Sequence, residues 1–159
     1  MDHAASRLQA RGRLRQRVFS VLFLLPAWFS PHKCLRVFFH RLRGVDIGRG
    51  VEIGYYCLIG NVHPHTVHIA DGAVITANCV LLDHDNALYY TFGGPVRIGD
   101  IHIGPRAFIG IGAIIMPGVT VGERAIVAPQ SLVKRDVPAR TLVAGNPARE
   151  IKRYDEEPA

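Results

Sequence analysis

Cysteine is scarce in this 159-residue chain: Cys34, Cys57 and Cys79 make an odd count without framework spacing. That excludes a disulfide-built fold and points to a reducing compartment. The N-terminal apolar run, Val18 to Phe29, stops at 12 residues. A helix needs about 20 to span a bilayer. Acidic residues are almost missing from residues 1–43, where Asp2 faces nine Lys/Arg for a net +8. The remainder holds ten basic and twelve acidic residues, a net −2, so the positive charge belongs to an appended segment and not to the body. Nucleic acid is a poor match, because the aromatics of that segment are Phe and Trp set among Leu and Val. Length predicts one domain.

What the body has in abundance is a six-residue period. From Ile103 the chain runs IGPRAF, IGIGAI, IMPGVT, VGERAI, VAPQSL, VKRDVP without a slip. An aliphatic residue opens each hexad (Ile103, Ile109, Ile115, Val121, Val127, Val133), and a small or β-branched residue stands four places later. Six is the period of neither an amphipathic helix nor an alternating strand, but it fits a short strand and a turn stacked rung on rung. The same pattern opens at Ile47, Ile53 and Ile59, resumes at Ile69, Ile75 and Leu81, and lapses after Asn86 until Ile98. Such lapses mark loops thrown out from a solenoid corner, often on the functional face. Cys57 and Cys79 fall at the fourth place of their hexads and read as small core residues.

The basic, apolar N-terminal segment has three readings. Trp28 among apolar residues, with Arg11, Arg13, Arg15 and Arg17 before it and Lys33, Arg41 and Arg43 after it, suits a helix lying on an anionic membrane surface through residues 11–43. A cap over the open end of the solenoid is the second reading. A cleaved signal is the third, but no small-residue cleavage site follows Phe29.

Most of the eight histidines read as surface or corner residues; His63, His65 and His68 share the insert HPHTVH, a metal cluster or simply a polar corner. His84 differs, because it stands where the repeat departs into its longest loop, between Asp83 and Asp85. A loop leaving a rigid scaffold is where reactive side chains are presented. A neighbouring carboxylate orients an imidazole for general-base work. Both aspartates stay candidates as the partner.

The run IGPRAFIGIGAIIMPGVTVGERAIVAPQSLVKRDVPARTLVAGNPAREIK resembles the C-terminal half of the hexapeptide-repeat acyltransferases. The resemblance is to the galactoside, maltose and serine acetyltransferases and the polysaccharide O-acetyltransferases, over Gly44 to about Arg153. It implies an all-β fold, a left-handed parallel β-helix of about four triangular coils, which follows the basic helical segment read above at 1–43. A loop is extruded at about 83–97, and a tail follows at 154–159. It further implies acetyl-CoA as acyl donor without a metal, and a homotrimer with active sites between subunits. His84 becomes the general base for direct transfer. Gly110, Ile111, Ala128, Pro129, Lys134, Arg135, Arg149 and Lys152 become the coenzyme groove, the last four by pairing with phosphates.

The chain departs from the family at Pro129-Gln130-Ser131, where a small AGS step is common, and at Gly54, where the sugar enzymes carry an acceptor-orienting asparagine. The expected function is O-acetylation of a sugar hydroxyl in a surface-polysaccharide or glycolipid precursor, at the cytoplasmic face of the cell membrane. N-acetylation of a nucleotide-linked amino sugar is the alternative. Less favoured are a γ-carbonic-anhydrase-like metal enzyme, for which His63 and His68 have the H-x4-H spacing but lack the preceding histidine, and a non-catalytic scaffold.

Overall fold

A computed structural model describes residues 20–154. Arg7 to Arg17 and the tail from residue 155, both part of the expectations above, lie outside the described residues. The body is a parallel β-helix of triangular section. Sheet I stacks Asp46–Ile47, Val67–Ile69, Ile101–Ile103 and Thr120–Val121; sheet III stacks Leu58–Ile59, Val80–Leu81, Ile114–Ile115 and Leu132–Val133. Sheet II stacks Glu52–Ile53, Val74–Ile75, Phe108–Ile109, Ile126–Val127 and Thr141–Gly145, closed by the antiparallel strand Ala148–Arg153. The chain visits I, II and III in turn, so each coil takes three hexads and the twelve hexad strands make four coils.

The register shows why six is the period. The openers line up as Ile47, Ile69, Ile103 and Val121 on sheet I, with matching columns from Ile53 to Val127 and from Ile59 to Val133. All are buried, as are the fourth-place residues Ala73, Cys79, Ala107, Ala113, Val119, Ala125 and Ser131. Each fully buried Ile, Leu or Val contributes roughly 1.5–3 kcal/mol. Glycine follows many openers because one coil's corner lies against the next. A Cβ on Gly110 would stand 2.5 Å from the backbone nitrogen of Pro129.

The first coil has no coil beneath it. Elsewhere the amide after each opener donates to the opener carbonyl of the next coil, as Gly48 does to Ile69 (2.7 Å), Gly54 to Ile75 (2.8 Å) and Gly60 to Leu81 (3.1 Å). The carbonyls of Ile47, Ile53 and Ile59 therefore lack those donors, and three arginines supply them. Helices α1 (Leu24–Phe29) and α2 (Lys33–Leu42) lie across the open end. Arg41 donates to Ile47 O at 2.9 Å, Arg36 to Ile53 O at 2.7 Å and Arg43 to Ile59 O at 3.0 Å, one per sheet. Trp28 adds a bond from Nε1 to Cys57 O at 2.7 Å. The described part of the segment caps the open end, with Arg36, Arg41 and Arg43 turned into the β-helix.

Candidate active site

His84 sits at the corner between sheets III and I, in the second coil. After Leu81 the chain leaves the repeat as a hairpin, His84–Asp85 against Arg97–Ile98, with helix α3 (Ala87–Phe92) at its tip. Tyr89, Tyr90 and Phe92 of that helix are exposed.

Asp83 organises the corner. Its side chain is 1 % exposed, and Oδ1 lies 2.8 Å from Nδ1 of His84. Its other oxygen accepts the amides of Val62, at 2.9 Å, and of His63. Those amides come from the insert after Gly60, which occupies the same corner one coil below. The Arg43 guanidinium, itself bonded to Ile59 O and Gly60 O, interacts electrostatically with this carboxylate. Burial pushes Arg43 down to about 10, and Asp83 opposes that shift. With Nδ1–H directed at Asp83, His84 presents Nε2 as its free lone pair, the form needed to accept a proton.

Asp85 is placed differently from Asp83. Its Oδ1 accepts the amide of Ala87 at 2.9 Å and so fixes the start of α3. The pairing with His84 belongs to Asp83. Sequence reading missed His63, whose ring lies 6.3 Å from that of His84 and nearly perpendicular to it. The signal was there, since the HPHTVH insert follows Gly60 and Gly60 is paired with Leu81 just before LLDHDN. His63 also meets His65, with ring centres 5.9 Å apart, whereas His68 lies on sheet I against Asp46 and His102. The H-x4-H pair is thus divided between a corner and a face.

The remaining expected residues fall into two groups. Gly110 and Ile111 lie at the corner between sheets II and III, with Ala128 and Pro129 directly against Gly110 in the next coil. Lys134, Arg135 and Arg149 line one pocket of about 310 Å³, with Val133, Val137, Val143 and Pro147 as its apolar walls and Asp136 and Glu150 as its acids. Lys134 and Arg135 stand at the III/I corner, in the fourth coil, on the same edge as His84. Lys152 is outside this pocket, with Nζ 4.8 Å over the Tyr154 ring. Cationic side chains around apolar walls fit a phosphate-bearing thioester with a hydrocarbon-like arm. Cys57 and Cys79 are core: their thiols donate to Thr76 O at 2.9 Å and Gly110 O at 3.2 Å.

The bacterial transferase hexapeptide model (six repeats) matches residues 100–135. The chain belongs to the hexapeptide-repeat transferase family. Among its relatives is the putative acetyltransferase YJL218W of Saccharomyces cerevisiae, 30% identical over 125 residues, 67% of this chain and 64% of that protein. The chain spans about three fifths of the length of the curated relatives it matches. Among solved structures, the hexapeptide-repeat acetyltransferase VCA0836 of Vibrio cholerae, in complex with acetyl-CoA, superposes with a TM-score of 0.74. It is 22% identical, over 98% of this chain and 93% of that one. The polySia-specific acetyltransferase NeuO superposes at 0.58 and is 29% identical, over 69% of this chain and 51% of that one. This hexapeptide-repeat chain winds as a left-handed β-helix, as the family resemblance implies.

Proposed function

We propose that the chain is an acetyl-CoA-dependent O-acetyltransferase acting on a sugar hydroxyl of a surface-polysaccharide or glycolipid precursor. The observation that carries this reading is the buried Asp83 carboxylate 2.8 Å from Nδ1 of His84. Acetyl-CoA supplies the acyl group as a thioester; relatives and fold neighbours bear acetyltransferase names, and VCA0836 holds acetyl-CoA. Nε2 of His84 accepts the acceptor hydroxyl proton while the hydroxyl oxygen bonds to the acetyl carbonyl carbon. The carbon–sulfur bond breaks, and Nε2 returns its proton to the departing thiolate. Asp83 stabilises the imidazolium formed between these events. The Ile111 amide is the proposed donor to the thioester oxygen as charge develops there.

The proposed homotrimer is supported by where the two groups of residues lie. His84, Lys134 and Arg135 are on one corner, and Gly110, Ile111, Ala128 and Pro129 on another, so a groove using both is completed by two subunits. The exposed Tyr90 and Phe92 of α3 supply apolar surface for that contact. Attachment to the cytoplasmic membrane face is supported by exposed Val21, Leu22, Leu25, Phe29, Leu35 and Phe38, which follow the arginine-rich residues 7–17 in sequence. No described helix is long and apolar enough to cross a membrane.

The test is release of free thiol from acetyl-CoA with a panel of saccharide acceptors. Wild-type protein should turn over at least one of them, and His84→Ala should reduce that rate to background. Full turnover by the His84→Ala protein sinks the mechanism.

A further inference from the structure

Sheet I has an outward face unlike the other two. Its outward column runs Asp46, His68, His102 and Thr120 up four successive coils. The imidazoles of His68 and His102 stack with ring centres 4.7 Å apart and planes 10° from parallel. Asp100 stands just before this strand of the third coil. Donor atoms of His68, His102 and Asp100 all lie within 4.8 Å of one another. His68 and His102 border an open groove of about 430 Å³ lined also by Asp46 and Thr120. None of these five residues is needed by the corner chemistry of Asp83 and His84.

We infer that His68, His102 and Asp100 form a site for a divalent transition-metal ion of the zinc class. Two imidazoles and one carboxylate are a donor set that such ions take in preference to calcium or magnesium. A second observation supports this reading. Asp46 Oδ2 lies 3.1 Å from Nδ1 of His68, which leaves Nε2 as the donor available to a cation. A carboxylate behind a ligating histidine fixes its tautomer and raises its basicity. Tetrahedral coordination at about 2.0–2.1 Å puts donors roughly 3.3 Å apart. His102 and Asp100 are exposed, so side-chain rotation alone brings their donors in, with the strands staying in register. The bound ion ties the second coil to the third. It does so where the chain re-enters the repeat after the hairpin strand Arg97–Ile98, and so clamps the return of the loop that begins at His84. The role is bracing, separate from acyl transfer.

The experiment uses the full-length chain, free of any affinity tag and stripped with a chelator, titrated with Zn²⁺ alone by calorimetry and by thermal melting. One saturable ion per chain, with a melting temperature that rises on addition, is the expected result. His102→Ala and Asp100→Asn should each weaken binding at least tenfold and remove the thermal shift. Asp46→Asn should weaken it by about ten- to a hundredfold, the usual effect of losing the partner behind a ligand. His63→Ala should leave it unchanged. Absence of saturable binding, or binding that survives His102→Ala, overturns the site. Binding lost in His63→Ala instead assigns the metal to the corner histidines and overturns it equally.

Discussion

Oδ1 of Asp83 and Nδ1 of His84 lie 2.8 Å apart, and neither residue is free to drift: the carboxylate is also tied to the amides of Val62 and His63. Adjacent residues rarely make such a pair on a strand, because their side chains point to opposite faces. The chain achieves it by breaking out of the repeat at this corner.

Removing the charge on Asp83 while keeping its shape should therefore cost rate more than fold. Asp83→Asn is expected to lower kcat by about 10²-fold or more, the scale of general-base catalysis. The KM for acetyl-CoA should stay within about twofold. Steady-state kinetics beside a thermal melt decide this, and an unchanged kcat would make Asp83 purely structural.

His40 predicts how the cap responds to acid. It is fully buried, accepts a bond from Arg43 at Nδ1 (3.0 Å), and has no hydrogen-bond partner at Nε2. Burial, and then the Arg43 charge, lower it from 6.5 to about 3. The folded value lies below the unfolded one, so its contribution is complete above about pH 6.5 and is lost as pH falls toward 3. The full loss is on the order of 4 kcal/mol. Melting temperatures between pH 7 and 4 should fall, and less steeply in His40→Asn, which keeps an acceptor but does not titrate.

The three capping arginines should act as independent struts. Arg36→Met leaves the Ile53 carbonyl without its donor and should cost about 1–3 kcal/mol. Arg41→Met should cost less, because its bonds to Ile47 and Gly48 are partly exposed, and the two losses should add. Arg43→Met should lower activity as well as stability through its interaction with Asp83. Denaturant melts and initial rates on the same preparations separate these effects.

At the far end of the β-helix the charges should govern coenzyme affinity. Replacing Arg149 or Lys134, which line the same pocket, with Ala is expected to raise the KM for acetyl-CoA about tenfold and to leave kcat nearly unchanged. The effect should shrink at high ionic strength. Lys152→Ala, over the Tyr154 ring and outside that pocket, should matter less.

Gly110 tests the stacking itself. Gly110→Ala forces a methyl to 2.5 Å from the Pro129 nitrogen, backbone against backbone, and should unfold or severely destabilise the third and fourth coils. Gly112→Asn should be tolerated, since φ is +70° there and the nearest atom is the flexible Gln130 side chain at 3.5 Å. Circular dichroism melts on the pair would show whether the clash or the turn conformation dominates.

Much of the architecture was legible without coordinates, because one physical requirement recurs at every rung. Each hexad must turn one aliphatic and one small residue inward, and that requirement writes itself into the chain as a period from Ile47 to Val133. The place of His84 at the mouth of the extruded loop was legible too, as the point where the period breaks. The handedness came from family resemblance, since the spacing of inward residues is the same for either hand.

Tertiary structure alone decided which aspartate serves His84, because Asp83 and Asp85 flank it symmetrically in sequence and only the amides of Val62 and His63 choose between them. It decided that Arg36, Arg41 and Arg43 meet carbonyls, a fact set by the missing coil beneath Ile47, Ile53 and Ile59. It also stacked His68 on His102 across 34 residues of chain. Local pattern records which way a side chain points; its partner depends on what the fold stacks above or below it.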